Sequence, residues 1–309
     1  MDPLQSFRRR VVSELESVGG RHDELDLYGG EPGDPGLVGG PGSISWELHS
    51  DLGVVAAAGS AAVIMEVLHP SVMAGVSQQS TFRTEPIRRA QNTLGYVLRT
   101  TFGSTPAATA VIDKVRHIHS FVEGTRPDGV PYRALDPELL AWVHTCIPWA
   151  IMTAFDRYRR PLRREERDRY LAEQAVVGRL GGGAGVPESM DELDAFVERI
   201  RPELAVNEQT REFVRFLAEG AVEGQEAGAR ERAERWMGLR GSMMLMPGWA
   251  RELTGLDHGN AAARLVSDRL ERTKVAVVDW AYPVVPCVAI ATARATGAGA
   301  PAPLEGSAA

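Results

Sequence analysis

The stretch from Leu139 to Phe155 constrains the fold more than any other part of the chain. Asp136-Pro137 marks a helix start, an acidic cap followed by proline at the first helical position. Wound as a helix to about Tyr158, the segment carries Leu139, Trp142, Val143, Ile147, Met152 and Phe155 around every face. A helix that is apolar all round is buried, so further helices have to surround it. Apart from Cys146, His144 is the only ordinarily ionisable side chain in this run. A buried imidazole is costly unless both of its nitrogens are used. Two arrangements achieve that: hydrogen bonds within the core, or a metal on one nitrogen and a hydrogen-bond acceptor at the other. Pro148 follows at i+4 and removes the hydrogen bond to the carbonyl of His144, so a kink is expected there.

A second helix is predicted from Thr105-Pro106, with threonine as the cap, to about Val122. Helical spacing places Val111, Val115, Ile118 and Val122 on one stripe, the expected core face. His119 falls on the edge of that stripe and Arg116 lies beside it one turn earlier, while His117 points to the opposite side. Taken alone, His119 is either a hydrogen-bonded core histidine or an inward-facing ligand. Arg116 is either a rim salt bridge or a charge belonging to a site.

Further helices are predicted over 1–25, 52–68, 162–178, 189–200, 207–239 and 260–273. The one at 52–68 stops at His69-Pro70, and the one at 189 opens on a Ser189-x-x-Glu192 capping box. The Gly- and Pro-rich segment 29–42 is excluded from helix interiors and central strands, so it is a linker or a loop that wraps the domain. No alternating pattern longer than a few residues and no internal repeat occurs. The expected fold is therefore all-α: an N-terminal helix and wrapping segment over 1–42, one globular helical domain over 43–294, and a flexible tail over 295–309.

Charge and cysteine content narrow the class. Lysine and arginine number 34 against 41 acidic residues, a net charge of −7, which gives no general attraction to nucleic acid or anionic lipid. The basic run Arg157–Arg169 is broken by Glu165, Glu166 and Asp168 and reads as a solvated face. The uncharged apolar runs at 52–65 and 280–293 fall short of the roughly 18–20 residues of a spanning helix, so no membrane span is expected. No apolar segment of signal-peptide type follows Arg10, and Cys146 and Cys287 both sit in apolar runs, which fits a reducing cytoplasm.

No His-Glu-x-x-His, paired-cysteine or EF-hand motif is present. A zinc site needs three or four protein ligands, which the inward-facing set does not supply. One axial histidine in an apolar helical pocket is what haem requires, and the lack of Cys-x-x-Cys-His argues against covalent attachment. Haem carries two propionates, so Arg83, Arg88 and Arg89 are candidate partners for them. His49 is another, or else it bonds to Asp51.

An ordered series of motifs resembles one family. It comprises Gly36-Leu37-Val38-Gly39-Gly40-Pro41-Gly42-Ser43 with Trp46, and Met65 through Ser71 to Gln78-Gln79-Ser80. It continues through Arg116-His117-Ile118-His119, Tyr132 through Pro137 with Trp142-Val143-His144, and Pro161-Leu162 with Glu165. From about Gly36 to Phe216 the chain is similar to the MpaB/latex-clearing-protein oxygenases, long known as a domain of unknown function. The resemblance implies a globin-like helical core that binds one haem b non-covalently, and members that cleave isolated C=C bonds with O₂. It implies that His144 is the proximal iron ligand and Arg116 the distal arginine. It sets His119 where the rubber-cleaving branch has a lysine, so that His119 is a possible distal iron ligand or a donor to bound O₂. The rubber-cleaving branch also has a glutamate upstream of the arginine. Here 99–112 contains no carboxylate, and Asp113 is the nearest acid.

The expected function is a haem-dependent oxygenase acting with O₂ on a small apolar or unsaturated substrate. Arg116 and His119 are its expected catalytic residues. The alternatives are a non-catalytic bis-histidine haem protein and another haem oxidase of peroxidase-like activity. No nucleic-acid partner is expected.

Overall fold

The computed structural model describes residues 3–19, 22–219, 228–255 and 261–298. It is all-α, with fourteen α-helices and one two-stranded hairpin among those residues. The helices are α1 (Pro3–Gly19), α2 (Ile44–His49), α3 (Leu52–Glu66), α4 (Pro70–Gln79), α5 (Pro86–Phe102) and α6 (Thr105–His119). The hairpin strands β1 (Glu123–Thr125) and β2 (Pro131–Arg133) pair antiparallel with Glu123 opposite Arg133. Then follow α7 (Pro137–Tyr158), α8 (Arg164–Leu180), α9 (Met190–Ile200), α10 (Glu208–Glu219), α11 (Ala229–Met243), α12 (Gly248–Thr254), α13 (Ala261–Ala281) and α14 (Pro286–Thr296).

Most helix starts obey local chemistry. The Asp136 carboxylate accepts from the amides of Glu138 and Leu139, Ser189 caps α9, and the Asn207 amide oxygen accepts from Thr210 at the head of α10. Ser104, one residue earlier than expected, caps α6. Helices α4, α5, α12 and α14 and the hairpin lie outside the predicted helices. Helices α4, α5 and α14 each open on a proline at the first turn, after His69, Glu85 and Val285. The region expected as one helix over 207–239 contains two, α10 and α11, and 220–227 lie outside the described residues.

The core forms where α3 lies against α7. Ala57, Ala58, Ala61 and Ala62 on α3 are buried, and small side chains let the two axes approach closely. Trp142 is fully buried and its indole N–H donates to the carbonyl of Glu66 at 3.1 Å. Helix α7 runs through Pro148 unbroken. With 22 residues and a mean hydropathy of 1.2 it is, by length and composition, long and apolar enough to cross a membrane, unlike the shorter runs at 52–65 and 280–293. Of the most apolar window, 56% is buried inside the bundle.

The segment 29–42 is a wrapping loop rather than a linker: Val38 and Tyr28 are buried in a second cluster with Trp46, Phe102 and Cys287. Cys146 and Cys287 are both free and buried.

Candidate functional site

Helix α6 presents a different stripe from the one spacing suggested. Ala108 and Ile112 are buried, Val115 and His119 are half-buried, and Ile118 is exposed. The helix is turned so that His119, not Ile118, continues the inward line. Burial lowers the pKa of His119, and its Nδ1 is buried without a hydrogen-bond partner. An orphaned buried nitrogen of this kind is rare and calls for a ligand or proton partner. His117 is exposed and meets the ring of Phe121 edge-on at 5.1 Å. Arg116 and Asp113 are exposed.

His144 is held by α8. Its Nε2 lies 2.8 Å from the carbonyl oxygen of Gln174. A carbonyl only accepts, so Nε2 carries the proton and Nδ1 keeps the lone pair. The ring fits there because α8 has glycine one turn on. A Cβ at Gly178 would stand 2.6 Å from Cδ2 and 3.0 Å from Cγ of His144. Burial pushes the imidazole down to about 4, against the opposing effect of the Gln174 bond. A neutral ring with its tautomer fixed by a backbone acceptor is the usual state of a histidine ligand.

The end of α8 also receives Arg116. Gly182, at φ +100°, has Leu140 Cδ1 3.3 Å and Arg116 Nε 3.8 Å from where its Cβ would be. Leu140 precedes His144 by one turn of α7 and shares its face. The glycines at 181–183 thus bring Arg116 to the His144 end of α7 and α8. No hydrogen bond joins His119 to His144 among the described residues.

The other candidates are placed elsewhere. His49 is buried with both nitrogens engaged: Nδ1 is 2.7 Å from Thr101 Oγ1 and Nε2 is 2.8 Å from the Tyr170 hydroxyl. Thr101 gives its own proton to the carbonyl of Val97, so it accepts from Nδ1–H, and Tyr170 donates to Nε2. Burial, with the nearby His144, lowers His49 to about 3. It therefore has no nitrogen left for a propionate, and Asp51 caps α3 instead of bonding to it. Arg83 pairs with Glu212 at 2.9 Å and lies over Phe82, and Arg88 pairs with Glu85 at 3.2 Å on its own helix. Neither pairing involves the His144 environment: Arg83, in the connection between α4 and α5, turns toward α10, and Arg88 turns toward the start of α5.

Three residues that sequence reasoning passed over fix the positions of His144 and His49. Gln174 supplies the acceptor for His144, and its side chain donates to Ser45 Oγ at 2.9 Å. Tyr170, one turn before Gln174, anchors His49. Gly178 left a signal, since a glycine inside a helix costs about 1 kcal/mol against alanine and so marks a close approach.

The two buried imidazoles set a pH dependence. Both titrate below the ordinary histidine value when folded. As pH falls below about 6.5 the unfolded chain binds protons that the folded chain does not, so stability declines with acid. Buried Glu66, raised to about 7, takes up a proton on folding in the same range and offsets part of this, so denaturant midpoints are expected to fall from pH 6.5 to pH 5 by less than the two histidines alone would give. A flat series would show that the rings are not enclosed.

The family model described as ER-bound oxygenase mpaB/B'/Rubber oxygenase, catalytic domain, matches residues 46–280. Arg116, His119 and His144 all fall within that span. No curated protein and no solved structure matches the chain.

Proposed function

The chain belongs to the mpaB/rubber oxygenase catalytic-domain family, and on that premise we propose that it is a haem-b-dependent oxygenase acting on a small apolar or unsaturated substrate. The observation that carries this reading is His144: a neutral imidazole inside an apolar helix, its Nε2 given to the Gln174 carbonyl and its Nδ1 open. Among the described residues no three His, Cys, Asp or Glu side chains converge. A porphyrin brings four nitrogens of its own, so one or two histidines suffice. The residues present fit such a group.

His144 would hold the iron through Nδ1. The Gln174 carbonyl would fix the ring and raise its basicity as a ligand. Haem, when bound, supplies a redox-active iron that takes up O₂. Arg116 places a permanent positive charge beside the glycine loop, suited to stabilising negative charge that develops on oxygen. His119 offers a second neutral imidazole with a free Nδ1, able to accept or pass a proton. Leu140, Val143 and Ile147, half-buried on the face of α7 that carries His144, would offer the group an apolar surface. Oxidative cleavage of a C=C bond is the reaction this reading favours, in keeping with the family.

The orphaned Nδ1 of His119 also favours a second reading, a bis-histidine haem protein without turnover. Protein purified with added haem is expected to show a Soret band and to consume O₂ with unsaturated but not saturated hydrocarbons of equal length. Failure to take up haem overturns the proposal. A six-coordinate bis-histidine spectrum with no O₂ uptake supports the second reading.

A further inference from the structure

A half-open cavity of about 600 Å³ lies on the side of α3 away from the site, between α3, α10, α11 and α13. That volume is in the range of small-molecule pockets. Its walls include Ala56, Ala57, Leu239 and Val278, and its polar groups include Glu271 and Lys274. Glu271 is 4% exposed. Lys274 Nζ donates to its Oε1 at 2.7 Å, and no described residue donates to Oε2.

Burying a carboxylate costs several kcal/mol unless its acceptors are filled. The facing helix is nonetheless shaped to keep it. A Cβ at Gly241 would stand 2.1 Å from Glu271 Cγ, and one at Gly238 would stand 2.8 Å from Lys274 Nζ. Larger residues at these positions would fill the space and displace the ion pair. The cavity therefore combines an apolar wall, a neutralised ion pair and a carboxylate oxygen facing it to which no described residue donates.

We infer that this cavity binds an aliphatic alcohol, whose hydroxyl donates to Glu271 Oε2 and accepts from Lys274 while its chain lies along α3. A carboxylate head would meet Glu271, and an ammonium head would meet Lys274 and Arg235, so a neutral donor–acceptor head matches best. The inference does not rest on the haem reading.

The test is calorimetric titration of the full chain with 1-decanol, decanoate and decylammonium. Decanol is expected to bind at least tenfold more tightly than either charged analogue, as one hydrogen bond to a charged group allows. Gly238→Leu is expected to abolish binding, since Lys274 is flexible enough to yield. Ala56→Leu, at an exposed position, gives the same outcome should Gly238→Leu fail to fold. Glu271→Leu is expected to weaken decanol about tenfold. The inference is overturned if decanol does not bind, if decanoate is preferred, or if both cavity-filling variants bind it like the wild type.

Discussion

On the proposed haem reading, replacing Gly178 with alanine is expected to abolish haem uptake nearly as completely as replacing His144 with alanine, while the helical circular dichroism signal is kept. Glycine to alanine inside a helix ordinarily stabilises by about 1 kcal/mol, so a loss here has the opposite sign from propensity. The cause is contact. The new Cβ would sit 2.6 Å from Cδ2 of His144, too close for either to stay in place. The neighbouring atom belongs to a ring held between two helices by the Gln174 carbonyl, not to the tip of a flexible side chain. The ring must therefore swing off the Gln174 carbonyl and lose its fixed tautomer. Overpacking of this kind costs about 1–3 kcal/mol. The two substitutions should also be non-additive, because His144→Ala removes the ring that alanine at 178 strikes. The double variant is expected to be more stable than Gly178→Ala alone. A wild-type Soret band in Gly178→Ala would show that the ring does not occupy this position in the loaded protein.

This contact also shows where sequence reasoning stops. That His144 points into the bundle followed from the apolar run around it, although its face of α7 is only half-buried. What it bonds to did not, because helical spacing gives the direction of a side chain but not the element opposite. Gln174 and Gly178 lie on another helix, and only the fold sets them there. His119 was legible as inward, yet the stripe was drawn through Ile118, which is 51% exposed. Alanine at 108 carries too little hydrophobicity to reveal that the inward line begins with it. His49 was misread because its partners Thr101 and Tyr170 are remote in sequence and saturate both nitrogens. The all-α class needed only local pattern; α5 was overlooked although Ile87, Leu94, Val97 and Leu98 follow helical spacing behind a proline.

Arg294→Met is expected to lower the unfolding free energy by about 3–5 kcal/mol, the sum of several buried carbonyls left without a donor. Arginine is rarely buried, yet Arg294 is 5% exposed. Its Nε donates to the carbonyl of Asp34 at 2.9 Å, and its Nη1 to those of Tyr28 at 2.6 Å and Phe102 at 2.9 Å. Its own carbonyl accepts from Gly33 at 2.7 Å. One side chain on α14 thus ties the wrapping loop to the end of α5. Asp34 extends the connection, since its carboxylate accepts from the amide and hydroxyl of Thr105 at the start of α6. Gly36, at φ +71°, passes so close to Gly103 that a Cβ would stand 2.6 Å from its carbonyl oxygen. The loop is consequently the seat of α6, the helix that carries Arg116 and His119. Loosening it should reach the site as well as the global stability. Arg294→Lys is expected to restore little, because a single ammonium cannot serve three carbonyls held in a planar fork. Denaturant titration of the two variants checks this: if lysine proves neutral, the loop is held by its own turns and by Asp34, and α6 does not depend on the C-terminal helix.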